Sequence, residues 1–497
     1  MTGTTATSSP PHAARNVAQR VWYGLLTQAV DKVLPVLILL YLARVLEPAA
    51  FGVYAFIIAY LAFFQIISDY SIDTVLVRMM SQQPDDRDEL LRAGLALKLM
   101  MSLVSAVVAV AFVGPASGDQ TPPVLMAVAA LNLPTALGGA YRAWQRSRLE
   151  IGTLFLQAAL RATLLAGGVV VAVWSGAGLV AIFASMSVAN LLTFLIIAAS
   201  MRGRVRPGLS FDPARWRAIA AGVWPLMVNA FAMTLSLRAG QILLMSMRGP
   251  VDVGLLGAAS RVTEAFTLLP EALMISVYPM MADLHSRESP ALLRTAARSS
   301  RYLVAITGLP VVACAVAGRG IMSLLFGSEF VEAGPILSLL AFMALLSATG
   351  TVILNVLVAT HGERVLSRNT LAFAAVNLVL SVLLIRSHGA IGAAAAMLAT
   401  SAASQLSLAV IPSTRQYVRA ALVPALRAFA AVAIAVIAGK LSGLSATPLL
   451  VLSILVYVAA AAVLGVFGAD EWRLLKAVRS GPKVASVPAA EQRGDVQ

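Results

Sequence analysis

Long apolar runs separated by short polar gaps dominate this 497-residue chain and limit what it can fold into. Fourteen can be counted, at about residues 21–45, 49–70, 93–113, 124–141, 151–174, 179–201, 218–247, 253–284, 302–326, 333–360, 371–385, 389–411, 421–440 and 448–467. About 20 mostly apolar residues suffice for a helix to cross a bilayer. Inside lipid the backbone must satisfy its own hydrogen bonds, which leaves helices and closed barrels. Barrel strands would alternate apolar and polar over about ten residues, whereas these runs are continuous. The expected fold is therefore an all-α polytopic membrane protein with about fourteen transmembrane helices. Composition agrees: 59% of residues are hydrophobic and 12% charged, against about 25% charged in soluble domains. A soluble enzyme and a disordered regulator are excluded. Cys314 is the single cysteine, so no disulfide framework forms within one chain.

The basic residues set the orientation. Residues 1–20 are small and polar, with Pro10-Pro11 and no apolar core, and read as a flexible cytoplasmic lead. Most of the 37 Lys and Arg fall in the terminal segments and in the loops after even-numbered helices, for example Arg202, Arg204, Arg206, Arg215 and Arg217. The opposite side holds only Arg44, Arg248, Arg319, Arg386 and Lys440. The positive-inside rule then places both termini in the cytoplasm. Arginines that punctuate loops also explain the net charge of +14 without a nucleic-acid partner.

A weak repeat divides the chain. Glu47-Pro48-Ala49-Ala50-Phe51-Gly52 joins the first two helices, and Gly249-Pro250-Val251-Asp252-Val253-Gly254 joins the seventh and eighth, with the same Pro-to-Gly spacing. Gly176-Ala177-Gly178 echoes Gly389-Ala390-Ile391-Gly392 near the end of each half. The expected organisation is two six-helix lobes, 21–201 and 218–411, joined by a basic cytoplasmic linker, 202–217. Two additional helices follow over 421–467, then a cytoplasmic tail, 468–497. An even number of helices per repeat gives both lobes the same orientation in the membrane.

Ala43-Arg44-Val45-Leu46-Glu47-Pro48 with Phe51-Gly52-Val53-Tyr54 resembles a signature of Wzx-type polysaccharide flippases, in the multidrug, oligosaccharidyl-lipid and polysaccharide exporter superfamily. Further similar stretches follow in order: 257–264, Tyr278-Pro279, Leu325-Phe326-Gly327-Ser328-Glu329-Phe330, and Leu383-Leu384-Ile385 running into Gly389-Ala390-Ile391-Gly392. Two departures are Tyr70-Ser71 where the family often has Gly, and Arg386 where it usually has Pro. The resemblance implies two lobes around a central cavity that opens alternately to either side of a bacterial cytoplasmic (inner) membrane. It implies as cargo a saccharide on polyprenyl pyrophosphate, with membrane lipids, an H⁺ or Na⁺ counter-ion and polysaccharide polymerase or export machinery as partners. A lipid II-type peptidoglycan precursor, or a cationic drug exchanged for H⁺ or Na⁺, is the alternative cargo within the same superfamily.

A charge at the middle of a membrane helix costs about 2.5–3.5 kcal/mol on insertion scales, so each calls for a partner or a wet cavity. The first helix carries Gln28, Asp31 and Lys32, read either as cavity-lining groups with Asp31 an ion site, or as a neutralised pair. The eighth carries Arg261, Glu264 and Glu271 on one stripe, with Pro270 expected to bend it. Arg261 and Glu264 are spaced to pair, while Glu271 has no opposite charge within a turn. Arg238 and Gln241 on the seventh helix and Arg161 on the fifth complete the candidates. A guanidinium matches phosphate bidentately; the competing reading of Arg238 is a side chain that snorkels to the interface. The substrate-binding candidates are Gln28, Lys32, Arg161, Arg238, Gln241 and Arg261, and the ion-coupling candidates Asp31, Glu264 and Glu271. Lys98 reads as a snorkelling residue near a helix end, Asp69 and Asp73 as interface residues, and the membrane asparagines as interhelical hydrogen-bond groups.

The chain has no GxxxxGK[ST] phosphate loop, and His12, His285, His361 and His388 lack ligand spacing. Neither a cofactor nor a metal is expected. A membrane polymerase or ligase would need a large outward loop with catalytic groups, and the outward gaps here are short. The expectation is a secondary transporter, not an enzyme.

Overall fold

The computed structural model describes residues 26–27, 30, 34–135, 137–148, 150–205, 208–442 and 446–466. The lead, the tail and the candidates Gln28, Asp31 and Lys32 lie outside the described residues. Helices α1 (Leu34–Val45), α2 (Pro48–Gln82), α3 (Arg87–Ala111), α4 (Pro123–Ser147), α5 (Ile151–Trp174) and α6 (Gly178–Ser200) form the first lobe. The second contains α7 (Pro213–Met247), α8 (Pro250–Ser286), α9 (Ala291–Phe326), α10 (Gly334–Ala359), α11 (363–388) and α12 (390–410). Then come α13 (Arg415–Leu441) and α14 (Ala446–Val463). Helices stand where the apolar runs lie, and the all-α membrane fold is as the sequence leads one to expect.

Local chemistry sets the boundaries. Pro occupies the first turn of α2, α4, α7, α8 and α10, where its missing N–H costs no bond. Asp212 caps α7, its carboxylate accepting from the Ala214 N–H at 2.9 Å. α11 and α12 run without a gap from Glu363 to Val410, 48 residues. Straight, that helix would be about 70 Å long, more than twice a bilayer core. Gly389 interrupts it at φ 55°, ψ −133°, a conformation open to glycine because it has no Cβ.

Other helices are also irregular inside the membrane span, α9 at Ala317 among them. α2 passes through a π turn at Ile66–Tyr70 and continues to Gln82, twelve residues beyond the end of its apolar run. α4 is broken into Pro123–Ala130, Asn132–Thr135 and Gly138–Ser147, around Pro134. α8 breaks at Phe266–Thr267, whose N–H groups bond three residues back instead of four. Pro270 stands four residues beyond Phe266, so it removes the donor that Phe266 would have received. The bend expected at Pro270 is thus present, one turn upstream.

Within a lobe, small residues let helices approach closely, the usual packing device in lipid. α9 packs on α10 and α13; a methyl on Gly318 would come within 2.8 Å of the Gly334 carbonyl oxygen. Gly168 does the same between α5 and α6, where an added methyl would come within 3.2 Å of Ser185. Cys314 is buried core, as read from its apolar run. The additional helices lie against α9, where Tyr457 of α14 donates to the Ala305 carbonyl at 2.5 Å.

The lobes are pinned together at one end. Gly52 of α2 faces the Pro250 carbonyl of α8, and Gly254 of α8 faces the Pro48 carbonyl of α2; a methyl at either glycine would overlap that oxygen. The Pro-to-Gly repeats of the two halves therefore cross each other as mates. Phe51 packs edge-on against Phe330, with ring centroids 5.5 Å apart and an interplanar angle of 89°. Arg44 donates to the carbonyls of Leu324 and Leu325 at the end of α9. Beyond its break, α8 packs on α9 and α10, while its first half packs on α2. The lobes diverge from the pinned end along α8. By contrast, the start of α7 stays packed on α2 and α3 of the first lobe, where the Trp216 indole donates to the Ala93 carbonyl at 3.1 Å.

Candidate functional site

Arg238 of α7 and Arg261 of α8 close on the same carboxylate. Glu264 lies 3.2 Å from the Arg238 guanidinium and 2.9 Å from that of Arg261. Arg261 and Glu264 occupy successive turns of α8, one of the two spacings that bring side chains together on a helix. Arg238 reaches them from α7 because the two helices pack side by side. The snorkelling reading of Arg238 gives way to an interhelical ion pair, with its side chain 19% exposed. Two cations around one anion leave a net positive charge.

Two members of that triad, Arg261 and Glu264, line a cavity of about 440 Å³ on the diverging side of the lobe seam. Arg261, Glu264 and Thr267 line it from α8; Pro35 of α1, Tyr54 and Ile58 of α2 and Met186 of α6 face them. The cavity thus draws on both lobes. Gln241 lies elsewhere: it is buried at the pinned junction near Gly257 and lines neither this cavity nor the next. Glu271 is exposed on α8 beyond the break, outside the lining of both.

A second cavity of about 180 Å³ lies inside the first lobe. Arg161 of α5 lines it, as do Arg142 and Asn132 of α4, Gln65 of α2 and Asn190 of α6. Asn190 donates to the Asn132 side-chain oxygen at 3.1 Å, the interhelical role expected of membrane asparagines. Ile58 and Met186 line both cavities and form their common wall.

The structure corrects the reading of Lys98. It is 1% exposed, and its ammonium lies 2.8 Å from the Asp73 carboxylate. The apolar run begins near residue 93, which puts Lys98 close to a helix end. The helix itself begins at Arg87, so Lys98 lies about 16 Å inside it. Asp73 belongs to the continuation of α2 that its apolar run also misses. Arg142 was overlooked for the same reason: its run ends at 141, while α4 continues to Ser147. The available signal was helical continuity, since neither Pro nor Gly interrupts 140–147.

The family model described as "Polysaccharide biosynthesis protein" matches residues 17–285. The succinoglycan biosynthesis transport protein ExoT of Rhizobium meliloti (strain 1021) is 24% identical over 347 residues, covering 67% of each chain. Among solved structures, the lipid II flippase MurJ in an inward closed conformation superposes with a TM-score of 0.70 at 13% identity. That match covers 92% of this chain and 100% of MurJ. A multidrug resistance MATE family transporter of the MOP superfamily, inward-facing, gives 0.58 at 12% identity over 86% of this chain and 100% of the transporter. Both structural likenesses are of fold. Since the family model takes in more than half of the sequence, the chain belongs to the polysaccharide biosynthesis protein family, built on the multi-pass transporter fold shared by MurJ and MATE proteins.

Proposed function

We propose that this protein is a secondary transporter that flips a polyprenyl-pyrophosphate-linked saccharide from the cytoplasmic to the outer leaflet of a bacterial cytoplasmic membrane. The saccharide is a repeat unit of O-antigen, capsule or exopolysaccharide. Both termini lie in the cytoplasm, and the chain performs no covalent chemistry of its own. One observation carries the reading: in a chain of this family, Arg261 and Glu264 line the cavity between the lobes, and Arg238 is held behind them on the same Glu264 carboxylate. A diphosphate entering a water-poor site needs cations, since an unpaired buried charge is costly. Arginine supplies a fixed fork for two phosphate oxygens. Glu264 keeps the two guanidiniums compensated while the cavity is empty, and a diphosphate can take its place. The relationship to ExoT, a transport protein of succinoglycan biosynthesis, supports the saccharide cargo.

H⁺ or Na⁺ coupling through Asp31 and Glu271, and binding of polysaccharide polymerase or export machinery, belong to the same proposal. The test is outer-leaflet delivery of lipid-linked saccharide in cells lacking the native protein, at matched membrane abundance. Arg238→Ala should lose most transport and Arg238→Lys should retain part. Parental transport by Arg238→Ala, Arg261→Ala and their double would overturn the cationic-cavity reading.

A further inference from the structure

Arg44, in the Ala43-Arg44 pair that opens the family signature, lines neither cavity. It stands in the last turn of α1 in the first lobe, and its guanidinium reaches across the seam to α9 of the second. Its Nε donates to the Leu325 carbonyl at 3.1 Å, and its Nη2 donates to the neighbouring Leu324 carbonyl. The final carbonyls of a helix have no partner within it. α9 ends with the Gly327 N–H on the Ser323 carbonyl at 3.0 Å, and Leu324 and Leu325 lie past that bond. They form the negative end of the helix dipole, where a cation is favoured. Their donors come from the opposite lobe.

Arg248 makes the same contact in the second half. It follows α7, the repeat counterpart of α1, and donates from Nε to the Ile385 carbonyl at 3.2 Å and from Nη2 to that of Arg386. Those carbonyls stand at the end of α11, just before the Gly389 break. One capping device is thus used twice, with one difference. The end of α7 and the end of α11 share a lobe, so Arg248 stays bound however the lobes move. α1 and α9 belong to different lobes, so Arg44 must let go whenever the pinned end parts. Its bonds are exposed, so water can replace either partner as they break. Next to its acceptors, Phe326 packs against Phe51 of the first lobe, with ring centroids 6.4 Å apart. The polar contact and the aromatic one therefore close together.

We propose that Arg44 is the latch of the pinned mouth, a positioning residue that holds the lobes together there and must release α9 before that end can open. This role rests on the transporter reading, since lobes that never part need no latch, and it is independent of the cargo. The contacts at Gly52 and Gly254 are steric and set how closely the lobes meet. The Arg44 bonds are attractive and set how often they part.

The test uses purified full-length protein in nanodiscs, in a Cys314→Ser background, with Ala55→Cys as the reporter and a soluble maleimide as the label. Ala55 of α2 is buried, and a methyl on Gly257 of α8 would come within 3.0 Å of it, so a thiol there is reached when the lobes part. When closing is fast, labelling at a buried site follows the population of the open state. Arg44→Gln should raise the labelling rate by about threefold to tenfold, as expected for losing exposed charge-assisted bonds at a helix end. Arg44→Lys keeps the charge and a donor and should fall between Arg44→Gln and the parent. Arg248→Gln loses the same bonds within one lobe and should label at the parental rate, which separates a latch from general loosening. Parental labelling in Arg44→Gln, or an equal rise in Arg248→Gln, overturns the inference. The measurement needs no saccharide. A parent protein that fails to deliver lipid-linked saccharide, yet shows labelling that depends on Arg44 and not on Arg248, would defeat the proposed function and keep the latch.

Discussion

The Lys98–Asp73 pair makes a quantitative prediction. The ammonium is 1% exposed, the carboxylate side chain 18% exposed, and 2.8 Å separates them. Breaking a buried pair by removing one partner costs about 3–5 kcal/mol, mainly because the other charge is left uncompensated. The residual exposure of Asp73 lets water reach it, so the lower end, about 3 kcal/mol, applies to Lys98→Met. Asp73→Asn leaves the deeper charge and should cost at least as much. The double variant removes both members of the pair together and should cost about 1 kcal/mol, less than either single. For domains of about 200 residues 1 kcal/mol moves Tm by about 2–4 °C; a chain of this length should move about 1–2 °C. Each single should therefore lower the apparent Tm in detergent by about 3–6 °C, and the double by about 1–2 °C. Gly139 of α4 faces both charged groups, and a methyl there would overlap them. Gly139→Ala should destabilise the parent and do much less in the double variant. A double-variant loss equal to the sum of the singles would refute the argument, because it would mean that the two charges do not compensate each other.

Three further outcomes can be checked. Gly52→Val and Gly254→Val each drive a side chain into a carbonyl of the opposite lobe. They should cost about 1–3 kcal/mol by overpacking and raise thiol labelling of a cysteine placed at residue 48 in a Cys314→Ser background; unchanged labelling would show that the lobes are not pinned there. Glu264→Gln frees Arg238 and Arg261, so a diphosphate lipid should bind more tightly while its turnover falls; weaker binding would show that Glu264 does not compete with cargo. Reporter fusions after Arg206 and after Arg364 should both report cytoplasm, and an outward position for either would break the helix count.

What could be read in the sequence follows from what lipid enforces. Apolar runs locate helices because an unpaired backbone is intolerable there, and Pro270 announces an interruption because a missing N–H is local. Helix ends that pass out of the hydrocarbon carry no such mark. α2 beyond Tyr70, α3 before Ala93 and α4 beyond Tyr141 were all missed, and with them Asp73, the depth of Lys98 and the placement of Arg142. The Arg261–Glu264 pair was legible because spacing on one helix fixes it. Arg238 joining that pair was not, since it depends on how α7 meets α8. Gln241 was misplaced for the same reason: periodicity finds a stripe and does not say whether a cavity or a neighbour faces it.

The segments that make the family recognisable and the groups proposed to handle cargo lie in different parts of the fold. Phe51, Gly52, Phe326, Phe330 and the Gly389 region meet at the pinned end, where a contact distance leaves little choice of residue. The cavity groups instead collect where helices are irregular: Glu264 and Thr267 at the α8 break, Gln65 at the π turn of α2, Asn132 and Thr135 in the broken turn of α4. An interrupted helix leaves backbone polar groups without their ladder partners, and in a membrane such groups must face protein or a wet cavity. Interruption and polar side chains therefore favour the same locations. A cavity needs only a sum of charge and enough volume, requirements that several arrangements of residues can meet. The fold accordingly leaves a strong imprint on short motifs, while the choice of cargo rests on a few charges brought together by helix packing.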